Sequence, residues 1–456
     1  MGQLPRLDIK TLPGPETVLR QELDNGITFL ARENFSSPSV VISGYLRVGA
    51  LQEEAHMAGL ASMTAASLMR GTRQRKFGQI YDSIESIGAR LNFSAGKHNI
   101  SFSAKALAED LGVLLDLLHE VLLTPTFPKA QVDRLRAEKL TALAIRDQET
   151  SARADLAFNQ LIYKDHPYAI PTEGNKGTVA QLTAANARSF HRKYFGPDGM
   201  VICVVGGIKA RRAAKAVSDR FSGWEGNGQV PDLSVPSVSP PKGLKRTYVD
   251  LEGKSQADLV MGIPGPPRSD PDFVSAALAN NILGRFGMFG RIGDVVREEA
   301  GLAYYAYSTL VGGIGPGPWQ VVAGVNPSNL DKAIELIRGE LSKIIKRPPD
   351  QDELNDNQAN FIGRLPLQLE SNEGVAGAIV NAERHSLGID YYQKYPDLVA
   401  SVTRGEILRV AQRFIDPDNL AIASAGPPAP DGKRPGSVRG RKKGAGGARK
   451  TRGTKL

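Results

Sequence analysis

Few side chains in this 456-residue chain have the type and spacing for chemistry. The six histidines, His56, His98, His119, His166, His191 and His385, are scattered. His119-Glu120 opens like a His-Glu-x-x-His zinc helix, but position 123 is Leu, so His119 reads as one residue of an ordinary amphipathic helix. Cys203 is the only cysteine, which excludes internal disulfides and cysteine-rich metal sites. There is no P-loop, and no Gly-x-Gly-x-x-Gly follows a strand in the right context, so nucleotide chemistry has no support. The most informative stretch is NNILGRFGMFGRIGDVVREEAGLAYYAYS, residues 280–308. Gly284, Gly287, Gly290 and Gly293 recur every three residues, a density that lets backbone approach another segment or a peptide. Arg297 and Tyr304 follow, seven apart. Taken alone, the stretch reads as a flexible loop with an arginine on a helix end and a tyrosine entering a strand. GLASMTAASLMRGT, residues 59–72, reads as a plain apolar helix.

The elements that must position these residues are written twice. YFGPDGMVICVVGG begins at Tyr194 and FIDPDNLAIASAGP at Phe414, an offset of 220 that aligns Pro197 with Pro417, Asp198 with Asp418, Ile202 with Ile422 and Gly206 with Gly426. Each follows a helix-like segment and reads as helix, Pro-Asp turn, buried strand, glycine. At an offset of 219, Leu111, Leu115 and Leu118 match Leu330, Ile334 and Ile337, spaced to share one helical face. Each half opens with strands, the first with a hairpin turning at Asn25-Gly26. Strands in antiparallel groups and helices in runs predict an α+β fold of two homologous domains, each a mainly antiparallel sheet with helices packed on one face. The predicted boundaries are residues 1–227, a Pro-, Ser- and Gly-rich linker at 228–243, 244–427, and a tail at 428–456.

The net charge of +9 sits in that tail. Residues 433–456 hold ten Lys or Arg and no acid, leaving 47 basic against 48 acidic residues in the remainder. A segment rich in Gly, Lys and Arg with few apolar residues is expected to be disordered. It reads as a solubilising extension or as a weak dock for an anionic partner. No apolar run reaches membrane-spanning length, and MGQLPRLDIKTLPGPETVLRQEL lacks the apolar stretch of a signal peptide, so cytoplasmic residence is the expectation.

Four segments in order resemble the insulinase/pitrilysin superfamily of zinc metallopeptidases, which includes the mitochondrial processing peptidases. GLASMTAASLMRGT stands where that family has Gly-x-Ala-His-x-x-Glu-His and a Gly-Thr. FGQIYDSIESIGARLNFSAGKHNISFS resembles its next helix and strands, DHPYAIPTEGNKGTVAQLT its His-Pro-Tyr segment, and VVREEAGLAYYAYS its second-half Arg–Tyr signature. The resemblance spans residues 15–427 and includes the duplication.

The departure from the family is sharp. The positions of its first His, its Glu and its second His are Ser62, Ala65 and Ala66 here, and none supplies a strong zinc donor. The distal ligand is expected from VDRLRAEKLTALAI, where Glu138 is the nearest carboxylate. Ser62 as a nucleophile has no base placed beside it by the sequence. The Arg–Tyr pair is intact. In the resembled family it holds substrate carbonyls beside the zinc of the opposite domain, which suits a guanidinium fork and a phenol donor. The resemblance therefore implies a non-zinc subunit of a heteromeric zinc peptidase. Arg297, Tyr304 and the loop glycines Gly284, Gly287 and Gly290 would complete a composite site with a His-x-x-Glu-His partner. This chain would hold no cofactor, zinc would belong to the partner, and the substrate would be a peptide or unfolded protein. The alternative is an inactive peptide-binding or assembly subunit.

Overall fold

The computed structural model describes residues 4–226, 232–287 and 290–428. The basic tail beyond residue 428, with its expected disorder, and Met288 and Phe289 of the glycine-rich loop lie outside them.

Two sheets carry the molecule. The first contains β1 (Leu19–Glu22), β2 (Thr28–Glu33), β3 (Ser39–Leu46), β4 (Arg90–Ala95), β5 (Ile100–Leu107) and β6 (Val201–Gly206), in the spatial order β1-β2-β6-β3-β5-β4. The second contains β7 (Lys245–Asp250), β8 (Ala257–Pro264), β9 (Ala303–Gly312), β10 (Pro316–Val325) and β11 (Ala421–Gly426), in the order β7-β11-β8-β10-β9. Without β1 the two orders are the same. β2 with β6 and β7 with β11 run parallel, and the other pairs are antiparallel. The duplication extends to register. Ile202 lies opposite Phe29 and Gly44, while Ile422 lies opposite Arg246 and Met261, so both neighbours are shifted by 217 and the central strand by 220.

The helices repeat as well. α1 (Leu60–Ser67), α2 (Leu111–Leu123), α3 (Lys129–Arg146), α4 (Thr150–Ile162) and α5 (Ala184–Tyr194) have counterparts in α6 (Phe273–Gly284), α7 (Leu330–Ile344), α8 (Gln351–Gln368), α9 (Asn372–Arg384) and α10 (Arg404–Phe414). α5 and α10 start with equivalent capping boxes, Thr183 with Asn186 and Thr403 with Glu406. The apolar stripes of α2 and α7 are buried at Leu111, Leu115, Leu118, Leu330, Ile334 and Ile337.

Each sheet packs its own helices on one face. The opposite face takes a helix from the other half, which the sequence reading does not contain. β6 alternates Ile202 and Val204 toward its own core with Val201, Cys203 and Val205 toward Val375, Ile379 and Val380 of α9. Reciprocally, Phe158 and Ile162 of α4 pack on Ala421, Ala423 and Ala425 of β11. The physical reason is visible in β6 and β11, which are buried at every residue. A strand apolar on both faces needs cover on both. Alanine at alternate positions of β11 lets α4 lie close. Ion pairs between the halves, such as Arg20–Glu383 at 2.9 Å, are solvent-exposed and add little beside this burial.

Candidate functional site

α1 is short because its surroundings define it. Gly59 precedes it at φ +98°, a conformation that favours glycine. The Glu53 carboxylate accepts from the backbone N–H of Gly59 at 3.0 Å and of Ala61 at 2.5 Å, anchoring the helix start. Burial pushes the Glu53 pKa up to about 7, against the pull of those two N–H donors. Burial likewise lowers that of Lys97, near it, to about 8. Almost the whole of α1 is buried, including Ser62 and Ala65.

Ser62, Ala65 and Ala66, the positions that the resemblance sets against the zinc motif, therefore sit on a well-fixed helix, but with different chemistry around them. Lys139 of α3 donates to Ser62 Oγ at 2.7 Å, and Ser62 Oγ donates to Glu173 Oε2 at 2.7 Å. Lys139 Nζ closes the triangle on the same carboxylate oxygen at 2.9 Å. Partial burial works to raise the Glu173 pKa. The Lys139 charge and the two hydrogen bonds outweigh it, so the carboxyl lies below its ordinary value. These residues do not fit zinc. Ser62 offers a hydroxyl already committed, Ala65 and Ala66 offer methyl groups, and an ammonium stands against the first position, where it would repel a metal cation. Among the described residues no three His, Cys, Asp or Glu gather as a metal would require. Ser62 does have a proton acceptor in Glu173, but that carboxylate oxygen also accepts from Lys139 and its pKa is lowered, which makes it a weak base for activating a hydroxyl.

Glu138 lies elsewhere. It pairs with Arg70 at 2.9 Å and Arg134 at 3.1 Å on the surface side of α3, and the next residue is the one that faces Ser62. His119 packs edge-on against Phe221, and neighbouring Glu120 pairs with Arg75 and Thr72.

In the second half, α6 occupies the place of α1 and packs against the edge strand β9. Gly284 makes that contact possible, since a Cβ there would lie 2.3 Å from the backbone nitrogen of Ser308. Gly290, at φ +62°, would bring a Cβ within 2.6 Å of the Ile282 carbonyl oxygen. Both glycines thus serve close packing within the chain. Gly287, at φ +59°, has open space around it and is the exposed one of the three. Arg297 belongs to a π-helical segment, Asp294–Glu299, with its Nε 3.4 Å from Glu298. Such segments are frequent at functional sites. Tyr304 is 83% exposed at the start of β9. It shares a strand face with Ala306 and Ser308, the face that meets α6, where Ser308 donates to Asn280. Tyr305 turns to the other face and donates to Asp258, with Tyr307 beside it. Tyr304 is thus the tyrosine of this group that presents its phenol outward.

Residues 28–176 match the family model described as insulinase (peptidase family M16), and residues 181–361 match that of the peptidase M16 inactive domain. Together they cover well over half of the sequence. The chain belongs to peptidase family M16. An uncharacterized zinc protease of Streptomyces coelicolor is 27% identical over 379 residues, 82% of this chain and 81% of that one. An uncharacterized zinc protease of Bacillus subtilis is 25% identical over 357 residues, 78% and 85% of the two chains. Subunit 1 of the mitochondrial cytochrome b-c1 complex of Bos taurus is 27% identical over 276 residues, 60% and 56% of the two. Among solved structures, a peptidase M16 inactive domain from Pseudomonas fluorescens superposes with TM-score 0.84 at 24% identity, over 90% of this chain and 98% of that one. A protease from Helicobacter pylori gives 0.83 at 18%, over 91% and 100%. At those identities the two structures speak for the fold.

Proposed function

We propose that this M16 chain is the non-zinc subunit of a heteromeric peptidase, supplying Arg297 and Tyr304 to a site that a His-x-x-Glu-His partner completes. The observation that carries the reading is the contrast in this one chain. Ser62 is tied up by Lys139 and Glu173, while Tyr304 stands exposed at the rim of α6 and β9. Metal chemistry then belongs to the partner, and this chain's task is to bind and orient. A peptide adds as a strand to a sheet edge, and the Arg297 guanidinium fork takes a substrate carbonyl. The Tyr304 phenol donates to the oxygen that gains charge during attack, a contribution of about 2.7–4 kcal/mol for a donor so placed. Exposed Gly287 is the loop glycine open to substrate. The expected setting is the cytoplasm; no helix among the described residues is long and apolar enough to cross a membrane.

The test is to purify the chain from its native cells and assay the eluate for chelator-sensitive peptide cleavage. A stoichiometric partner bearing His-x-x-Glu-His, with activity absent from either chain alone, is the expected result. A chain that emerges alone and inert would instead favour the binding or assembly role. The likeness to a cytochrome b-c1 complex subunit supports that second reading. An assembly subunit would work normally with Arg297 and Tyr304 replaced.

A further inference from the structure

We propose that the outer face of the first sheet, beside its edge strand β4, is a carboxylate-binding pocket organised by Arg384. A cavity of about 350 Å³ opens there, lined by Ser43, Asn92, Ser94, Ser101, Ser103 and Arg384 among others. It exists because α9 covers β3 and β6 with its apolar residues and leaves the polar outer sides of β4 and β5 open, with Asn92, Ser94 and Ser103 exposed.

Arg384 is held in place by neutral groups. Its guanidinium lies over the Tyr45 ring at 4.7 Å, and its Nη2 donates to Ser101 Oγ at 3.2 Å. With the Asn99 amide oxygen turned toward it, Asn99 accepts from Nη2 at 2.9 Å and from Nε at 3.2 Å. Among the described residues no carboxylate forms an ion pair with Arg384. Its neighbour Glu383 pairs with Arg20, and Glu373 at the other end of α9 pairs with Lys105. Partial burial lowers the Arg384 pKa, as it must for a cation removed from water without a counter-charge. With Nε and Nη2 engaged by Asn99 and Ser101, Nη1 is the nitrogen left to donate, and a half-buried guanidinium so fixed beside a solvent-open, serine-lined cavity is complementary to a carboxylate.

The neighbouring edge shows how such a group would arrive. Leu91 and Phe93 of β4 face the core, while Asn92 and Ser94 line the pocket. A peptide added along β4 sends alternate residues to this outer face. The ligand is therefore an extended peptide whose carboxylate, from an acidic side chain or from its C-terminus, falls opposite Arg384. The delivery step rests on the strand-addition reading above; the pocket does not.

The test uses the full chain labelled with 15N-arginine, with the Arg384 Nε resonance assigned by its loss in Arg384→Gln. N-acetylglutamate N-methylamide should shift that resonance saturably, and the glutamine analogue should not. Ser103→Asp, an exposed change that leaves the core untouched, should abolish the response by placing a carboxylate in the pocket. Equal or absent responses to the two compounds, or a Ser103→Asp chain responding like the wild type, would overturn the pocket. Peptide anisotropy then separates the sources. A C-terminally amidated peptide with an internal Glu, or a Gln peptide with a free C-terminus, should bind about tenfold tighter than the amidated Gln peptide. Loss of that preference in Arg384→Gln supports the assignment, and an unchanged preference in that variant would overturn it. A pocket response without any peptide preference would sink the strand-addition reading and leave the pocket standing.

Discussion

α1 and α6 occupy equivalent places in two copies of one fold, yet their surroundings have been used in opposite ways. Around α1 the polar groups named above bond to one another. Glu53 holds the helix start, and Ser62, Lys139 and Glu173 satisfy one another. Around α6 the packing is made flush by Gly284, and the Tyr304 side chain is left outside. On the proposed reading, a duplicated scaffold retires one site by satisfying it internally while the other stays open to a ligand. Such a retired site need not destabilise the fold. An ammonium and a carboxylate can satisfy the hydroxyl there without a metal ligand.

The comparison presumes that the two copies support each other through the exchanged helices, and this can be broken most forcefully at α4. Phe158→Ala should cost about 3–5 kcal/mol in denaturant unfolding, because a fully buried ring is removed from the contact with β11. A loss below about 1 kcal/mol would mean that the helix contributes little there.

The closed state of the first site is sharpened by trying to reopen it. Ser62→His with Ala65→Glu and Ala66→His restores the spacing of a zinc helix. With Lys139 retained, the ammonium should hold zinc affinity at least about tenfold below that of the same chain carrying Lys139→Glu. Zinc titration by calorimetry decides it. Equal affinities would show that Lys139 does not govern the position.

A further effect concerns the anchor of α1. The Glu53 carboxyl has its pKa raised from 4.5 to about 7 in the folded chain. Between those values the folded state holds the proton that the unfolded state has released. Stability from this group is therefore full below about pH 4.5 and declines as pH rises toward 7. In melting profiles from pH 4 to 8, Glu53→Gln should flatten that decline. An unchanged slope would place the pH dependence elsewhere.

Much of this architecture was legible in the sequence, because repeats and apolar periodicity are local signals. The offsets of 220 and 219 correspond to β6 with β11 and α2 with α7, and Gly26, at φ +84°, turns the first hairpin as Asn25-Gly26 implied. The resemblance set Ser62, Ala65 and Ala66 against the zinc-motif positions, and the structure adds what surrounds Ser62. What was not legible depends on distant partners or on helical phase. Glu138 and Lys139 differ by one residue, yet one step on a helix turns the side chain by roughly 100°, so one faces solvent and the other Ser62. Glu173 sits in a loop 111 residues from Ser62, where no periodicity points to it. The exchange of α4 and α9 joins segments more than 150 residues apart, though the unbroken apolar runs of β6 and β11 were a hint that both faces needed cover.

The most direct test of the account is to combine the chain with the zinc-bearing partner that the proposal requires and compare wild type, Tyr304→Phe and Arg297→Ala for cleavage of the same peptide. Tyr304 is so exposed that its loss should leave melting unchanged, while cleavage should fall by about 10²–10³. Full activity in both variants would contradict the composite site and leave this chain an assembly or binding subunit.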